Sequence, residues 1–161
     1  MSARAFHAIE VHRQTPVLEA LKLAKSDGHI VGHDFFHERT RFVSQDLHRA
    51  RPALVELTFY RLQVMTPFDD VLLDLDAQGL RPADLLEALA LMRRRPEFFH
   101  TKENFPLHVL GEPILAPQVC ARTCIPVFPE DGASPPPPLW LVERGNHLGA
   151  IVILAAKKAA A

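Results

Sequence analysis

The chain has 161 residues, 48% apolar and 23% charged, which is the size and composition of one globular domain and not of a disordered polymer. Eighteen basic residues stand against nineteen acidic ones, for a net charge of −1. That balance leaves no general attraction for nucleic acid or anionic lipid, because both reward accumulated positive charge.

The opening stretch "MSARAFHAIEVHRQ" is interrupted by charges and has no apolar run of signal-peptide length. Residues 1–14 are therefore expected as a flexible lead. Thr15-Pro16 then opens a helix, with threonine as cap and proline at the first position, where a missing N–H costs nothing. Val17, Leu18, Leu21 and Ala24 form its apolar stripe, and Gly28 ends it.

Next comes "HIVGHDFFHE", residues 29–38. His33 and His37 are four apart, so on a helix they project from one face and can share a metal ion. The pattern approaches H-E-x-x-H, in which a glutamate serves as general base beside a zinc ion. Here Asp34 occupies the glutamate position with a side chain one methylene shorter, and the expected nearby third ligand is missing. His29 just past Gly28, or Glu56 from a later strand, would have to complete the set, while His48 is too far along a helix to reach the same ion. Asp34 and Glu38 are the candidate proton acceptors. A competing reading makes the stretch an ordinary helix, with Phe35, Phe36, Phe42, Val43 and Leu47 buried and His33, His37, Arg41, Ser44 and His48 in water.

"ALVELTFYRLQVM", residues 53–65, alternates as a strand with Val55, Leu57 and Phe59 inward and Glu56, Thr58 and Tyr60 on the other face. Thr66-Pro67 repeats the opening device of the first helix, Asp69 adds negative charge to the first turn, Val71, Leu72 and Leu75 are buried, and Gly79 is the stop. Pro82 is expected to open a third helix with Leu85, Leu86, Leu89 and Met92 inward, stopped by Pro96. Arg93, Arg94 and Arg95 at its end are candidate anion-binding residues, although positive charge at a helix C-terminus is also favoured by the helix dipole alone. Asp69, Asp70, Asp74 and Asp76 read as a solvated helix face.

"GLRPADLLEALALMRRRPEF" followed by "FPLHVLGEPIL" resembles an uncharacterised group of small bacterial α+β proteins. The shared pattern is a strand, a helix, a GLRPA link, a leucine-rich helix ending near proline, and a strand carrying "LG". The likeness runs from Ala53 to the C-terminus, excludes the histidine-rich stretch, and implies an α+β fold with no known activity.

The C-terminal third is a series of short apolar runs broken by Gly and Pro. Gly145-Asn146 between "LWLVER" and "HLGAIVIL" predicts a β-hairpin, with both arms apolar on both faces and so covered by helices. Residues 129–138 are a proline-rich loop and 157–161 a tail. Cys120 and Cys124, if both lie in one extended strand, are about 13 Å apart at roughly 3.3 Å per residue, beyond the roughly 7 Å of a disulfide. Two buried, inert thiols in a reducing compartment are expected. Trp140 and Tyr60 read as single strand aromatics, not as a base-stacking platform. The chain contains no phosphate-loop, dinucleotide or nucleophile-elbow signature.

These readings converge on one α+β domain over residues 1–161, with three or four helices on a mostly antiparallel sheet. A cytoplasmic, non-enzymatic binding or interaction protein is expected, either homo-oligomeric or with a protein partner, and with neither nucleic acid nor membrane. No cofactor is expected; zinc or another divalent metal belongs to the alternative, a metal-dependent hydrolase built on His33 and His37.

Overall fold

The structure is a computed structural model and describes residues 4–30, 41–42, 49–115, 123–129 and 137–159. Three helices appear among them: α1 (Val17–Ser26), α2 (Phe68–Ala77) and α3 (Leu85–Arg94). The large sheet contains β1 (His7–Glu10), β2 (Arg41–Phe42), β3 (Leu54–Leu62), β5 (Leu80–Pro82), β6 (Leu107–His108), β7 (Ile114–Leu115), β8 (Thr123–Phe128), β9 (Trp140–Glu143) and β11 (Ile151–Lys157). Two short strands, β4 (Thr66–Pro67) and β10 (His147–Leu148), pair separately.

Along the main sheet the order is β1-β3-β11-β6-β8-β7-β2, with β5 also on β11 and β9 also on β8. Only β11 and β6 run parallel, so the sheet is mixed but mostly antiparallel. The central strand β11 alternates between two cores. Val152, Leu154 and Ala156 meet α1 and α3 on one face. Ile153 and Ala155 meet Phe68, Val71 and Leu75 of α2 on the other. The result is a helix–sheet–helix sandwich, and each fully buried Leu or Ile stabilises it by about 1.5–3 kcal/mol.

Several expectations are corrected. The hairpin across Gly145-Asn146 does not form: β9 pairs with β8, whereas β11 pairs with β3, β5 and β6. A strand apolar on both faces is stable only where both faces are covered, and the sheet centre provides that for β11. β9 instead occupies an edge and leaves Trp140 and Val142 exposed. Residues 7–10, expected within a flexible lead, form β1 against β3 and bury Ile9. At the other end, β11 extends through Lys157 into the expected tail, and Lys158 N–H donates to the Gly79 carbonyl. Arg41 and Phe42, placed on a helix by spacing, form β2 against β7, because their backbone groups are taken by that ladder.

The helix starts also differ. Pro16 and Pro67 occupy the cap positions of α1 and α2 with no side-chain cap bond. Pro82 belongs to β5, and α3 opens two residues later on Asp84. Asp84 and Glu87 form a reciprocal capping box, the Asp-x-x-Glu pattern of "DLLE". Finally, Cys124 is disulfide-bonded and not an inert thiol. β8 is described from Thr123, and Cys120 lies outside the described residues.

Candidate functional site

The expected metal site lies largely outside the described residues: that holds for His33, Asp34, His37 and Glu38. His29 is described and half-buried, just beyond α1. Among the described residues, no group of three His, Cys, Asp or Glu is arranged to hold a metal ion. Asp69, Asp70, Asp74 and Asp76 are exposed along α2 as a solvated face.

The described residues do bring other candidates together. A half-open groove of about 620 Å³ runs beside β1 and is walled by α1 and α3. That volume is in the usual range of ligand sites, roughly 300–1,000 Å³. Its floor is apolar, with Ile9, Val11, Ala24, Leu86 and Leu89. Leu23 and Leu54 stand on its rim, 50% and 68% exposed. Arg93, Arg94, His12, His29, Glu10 and Asp27 supply its polar groups.

β1 is a sheet edge. Val11 N–H donates to the Ala53 carbonyl at 2.7 Å, continuing the β1–β3 ladder. In an antiparallel ladder alternate residues face the partner, so His7, Ile9 and Val11 direct their backbone to β3. Ala8 and Glu10 direct theirs outward, where they have no backbone partner among the described residues. Five consecutive residues, Ala8 to His12, line the groove, so it follows the strand edge itself and not one face of it.

β1 and α3 run in opposite directions. The His7 ring lies tilted against Phe98, just past the C-terminus of α3, with centroids 4.5 Å apart, while Arg13 pairs with Asp84 at its N-terminus at 3.0 Å. Arg93 and Arg94 therefore stand at the His7 end of the groove. Neither has an ion-pair partner among the described residues. Arg95 is different: it pairs with Glu97 at 2.8 Å and lies over the Phe98 ring. Partial burial, aided by the Arg95 charge and opposed by Glu97, lowers the His7 pKa and favours the neutral ring.

The other end of α3 is closed. Asp84 accepts from Arg13 at 3.0 Å and from Arg51 at 2.6 Å. Arg81 grips both oxygens of Glu87, at 2.8 and 2.9 Å, and Arg13 Nη2 approaches the same carboxylate at 3.3 Å. Glu112 accepts from the Leu85 N–H at 3.1 Å, capping the helix from a distant loop. Gly111 makes this approach possible: a Cβ there would lie 2.4 Å from the Ala83 carbonyl oxygen, which already accepts from the Gly111 N–H at 2.9 Å. Burial raises the Glu87 carboxyl above the ordinary glutamate value, Arg81 pulls it back, and Asp84 adds to the rise. Burial opposes the charge of Arg81, yet the Glu87 hydrogen bonds and charge, with Asp84, hold its pKa above the usual guanidinium value. These carboxylates and arginines were not singled out by sequence reasoning, although the Asp-x-x-Glu signature marked two of them.

A second groove, about 840 Å³, is lined by Arg51, Arg81, Lys157, Lys158 and Glu56. Its cations are already engaged: Arg51 with Asp84, Arg81 with Glu87, Lys157 with Glu56 and Lys158 with Asp76. Of these two grooves, the β1 groove is the one whose cations have no ion pair among the described residues. Separately, His108 on β6 sits between β8 and β11, its Nδ1 buried with no hydrogen-bond partner. Burial lowers its pKa to about 4, so it is neutral in the folded protein. A histidine inside the alternating run "PLHVL" was its only sequence signal.

No family model, curated protein or solved structure matches the chain. No helix among the described residues is long and apolar enough to cross a membrane.

Proposed function

We propose that the chain is a non-enzymatic binding domain that holds a protein partner in the groove along β1. The observation that carries this reading is the groove's construction: a strand edge that is unpaired among the described residues faces two helices across an apolar floor, with exposed leucines on the rim. Such a surface offers both apolar area and backbone hydrogen bonds to a partner, at a size typical of binding sites. Among the described residues, no hydrogen-bonded nucleophile–base pair lies in it. The metal-dependent hydrolase reading has no described observation in its favour, since its residues 33, 34, 37 and 38 lie outside the described set.

The test is capture from an extract of the native cells with the wild-type chain and with a Leu23→Asp/Leu54→Asp variant of the same fold. A stoichiometric protein recovered by the wild type and lost by the variant supports the reading. Equal recovery by both places the partner elsewhere, and a monomer that recovers nothing counts against a binding role.

A further inference from the structure

Resting on that reading, we infer that the occupant of the groove is an extended peptide segment that adds to β1 as an antiparallel strand, with an acidic side chain at its C-terminal end held by Arg93 and Arg94. Three observations lead there independently of any likeness to another protein.

The first is the hydrogen-bonding state of the edge. Ala8 and Glu10 turn their N–H and C=O groups away from β3, into the groove, and nothing among the described residues pairs with them. An added strand satisfies that row with its own backbone, which is how extended peptides are bound at exposed sheet edges. A helical ligand has no free backbone groups to offer and would leave the row unpaired.

The second is shape. The groove is lined by consecutive residues of β1 on one side and by one face each of α1 and α3 on the other. On α1, Ala20, Leu23, Ala24 and Asp27 recur at helical spacing; on α3, Leu86, Leu89, Ala90 and Arg93 do the same. An added strand would turn alternate side chains toward these apolar helix faces and the intervening ones to water.

The third is charge, which fixes direction. Arg93 and Arg94 lie at the His7 end of β1, and Glu10 lies midway along the wall formed by residues 8–12. A strand antiparallel to β1 finishes at the arginines, so an acid near its C-terminal end and a base nearer its start match the groove. A parallel strand brings its N-terminal end to the arginines instead. The arginines are exposed at an open end, which suits the side chain of an internal segment more than a chain terminus.

The probe is a displayed library of random peptides flanked on both sides, enriched on the full chain and counter-selected on the Leu23→Asp/Leu54→Asp variant. The best binder is then resynthesised with single N-methyl amides along its length, which alters the ligand and leaves the protein intact. Strand addition is expected to give losses of about tenfold at every second amide and little change between them, since each outward N–H of the ligand is either bonded to β1 or free. Replacing the acid near its end by Lys is expected to weaken binding at least as much, and Arg93→Glu/Arg94→Glu to restore the Lys peptide. Amidating the C-terminus is expected to leave affinity unchanged. No enrichment over the variant, a methyl scan without alternation, or dependence on a free C-terminal carboxylate would each overturn the inference. The binding-domain reading fails separately, when the extract experiment yields nothing that depends on Leu23 and Leu54.

Discussion

The two ends of α3 carry the same chemical vocabulary and use it differently. At the N-terminus, Arg13, Arg51 and Arg81 meet Asp84 and Glu87, and both carboxylates are fully buried. At the C-terminus, Arg93 and Arg94 stand in an open groove that Glu10 and Asp27 also line, and neither arginine forms an ion pair among the described residues. Charge buried in a closed network must be paired, because each ion loses its hydration on entering the interior. Charge left unpaired at a groove rim keeps its water and costs the fold little, so it is free for a ligand. The difference teaches that arginine content alone does not locate a site; the pairing does.

That contrast can be broken first at the closed end. Asp84→Ala removes the α3 cap and strands two guanidinium partners, so a loss of about 3–5 kcal/mol is expected in chemical denaturation. A loss under about 1 kcal/mol would mean that water, and not Asp84, balances Arg13 and Arg51.

The pH response sharpens the comparison from a third position. His108 is neutral when folded, with its pKa lowered to about 4. Unfolded, it takes up a proton near pH 6.5, so the unfolded state binds more protons between those values and stability falls as pH drops through that window. The effect is roughly 3 kcal/mol at most, complete near pH 4. His108→Leu is expected to flatten that part of a stability-versus-pH curve. Glu87 acts with the opposite sign: its raised folded pKa favours the folded state at low pH, and that contribution is lost as pH rises through the folded value. A variant that keeps the full acid slope would assign it to other groups.

Gly111→Ala probes the packing behind the closed end. The added Cβ meets backbone of residue 83, which cannot swing aside as a side-chain tip can, so a destabilisation of about 1–3 kcal/mol is expected in thermal or denaturant unfolding. Wild-type stability in that variant would show that the "LG" segment can move off α3. The smallest effect belongs to the open end. Arg93→Glu/Arg94→Glu is expected to cost about 1 kcal/mol, from two reversed charges in the last turn of α3, while abolishing selection of acidic peptides. A large stability loss would place the two arginines in the same structural class as Arg13.

Local structure was legible where near neighbours dictate it. The stripe Val17, Leu21, Ala24 is buried in α1 as its spacing requires, and Val71 and Leu75 in α2 likewise. Val55 and Leu57 face the core from β3. Gly28 and Gly79 both adopt positive φ, 77° and 72°, immediately after their helices, a conformation glycine reaches without a Cβ clash. The candidate site was only partly legible. Arg93 and Arg94 were visible as an arginine run, but nothing in the run separated them from Arg95, whose partner Glu97 is two residues away. The edge of β1 was hidden because a short strand flanked by charges, "HAIE", reads as part of a loose lead.

By itself, then, the sequence determined the α+β class, the helix faces and their stops, and the position of β3, since these follow from periodicities of 3.6 and 2 and from the backbone limits of Gly and Pro. Tertiary structure decided which strands pair, that Pro82 ends a strand and does not open a helix, and that Glu112 reaches back to cap α3. It also decided which arginines are buried in pairs and which line a groove. The reason is that those outcomes depend on partners distant in the chain: Arg13 and Asp84 are 71 residues apart, and Leu85 and Glu112 are 27 apart. Pairings of that kind are settled by burial and hydrogen-bond satisfaction across the whole sheet, which no local pattern of residues encodes.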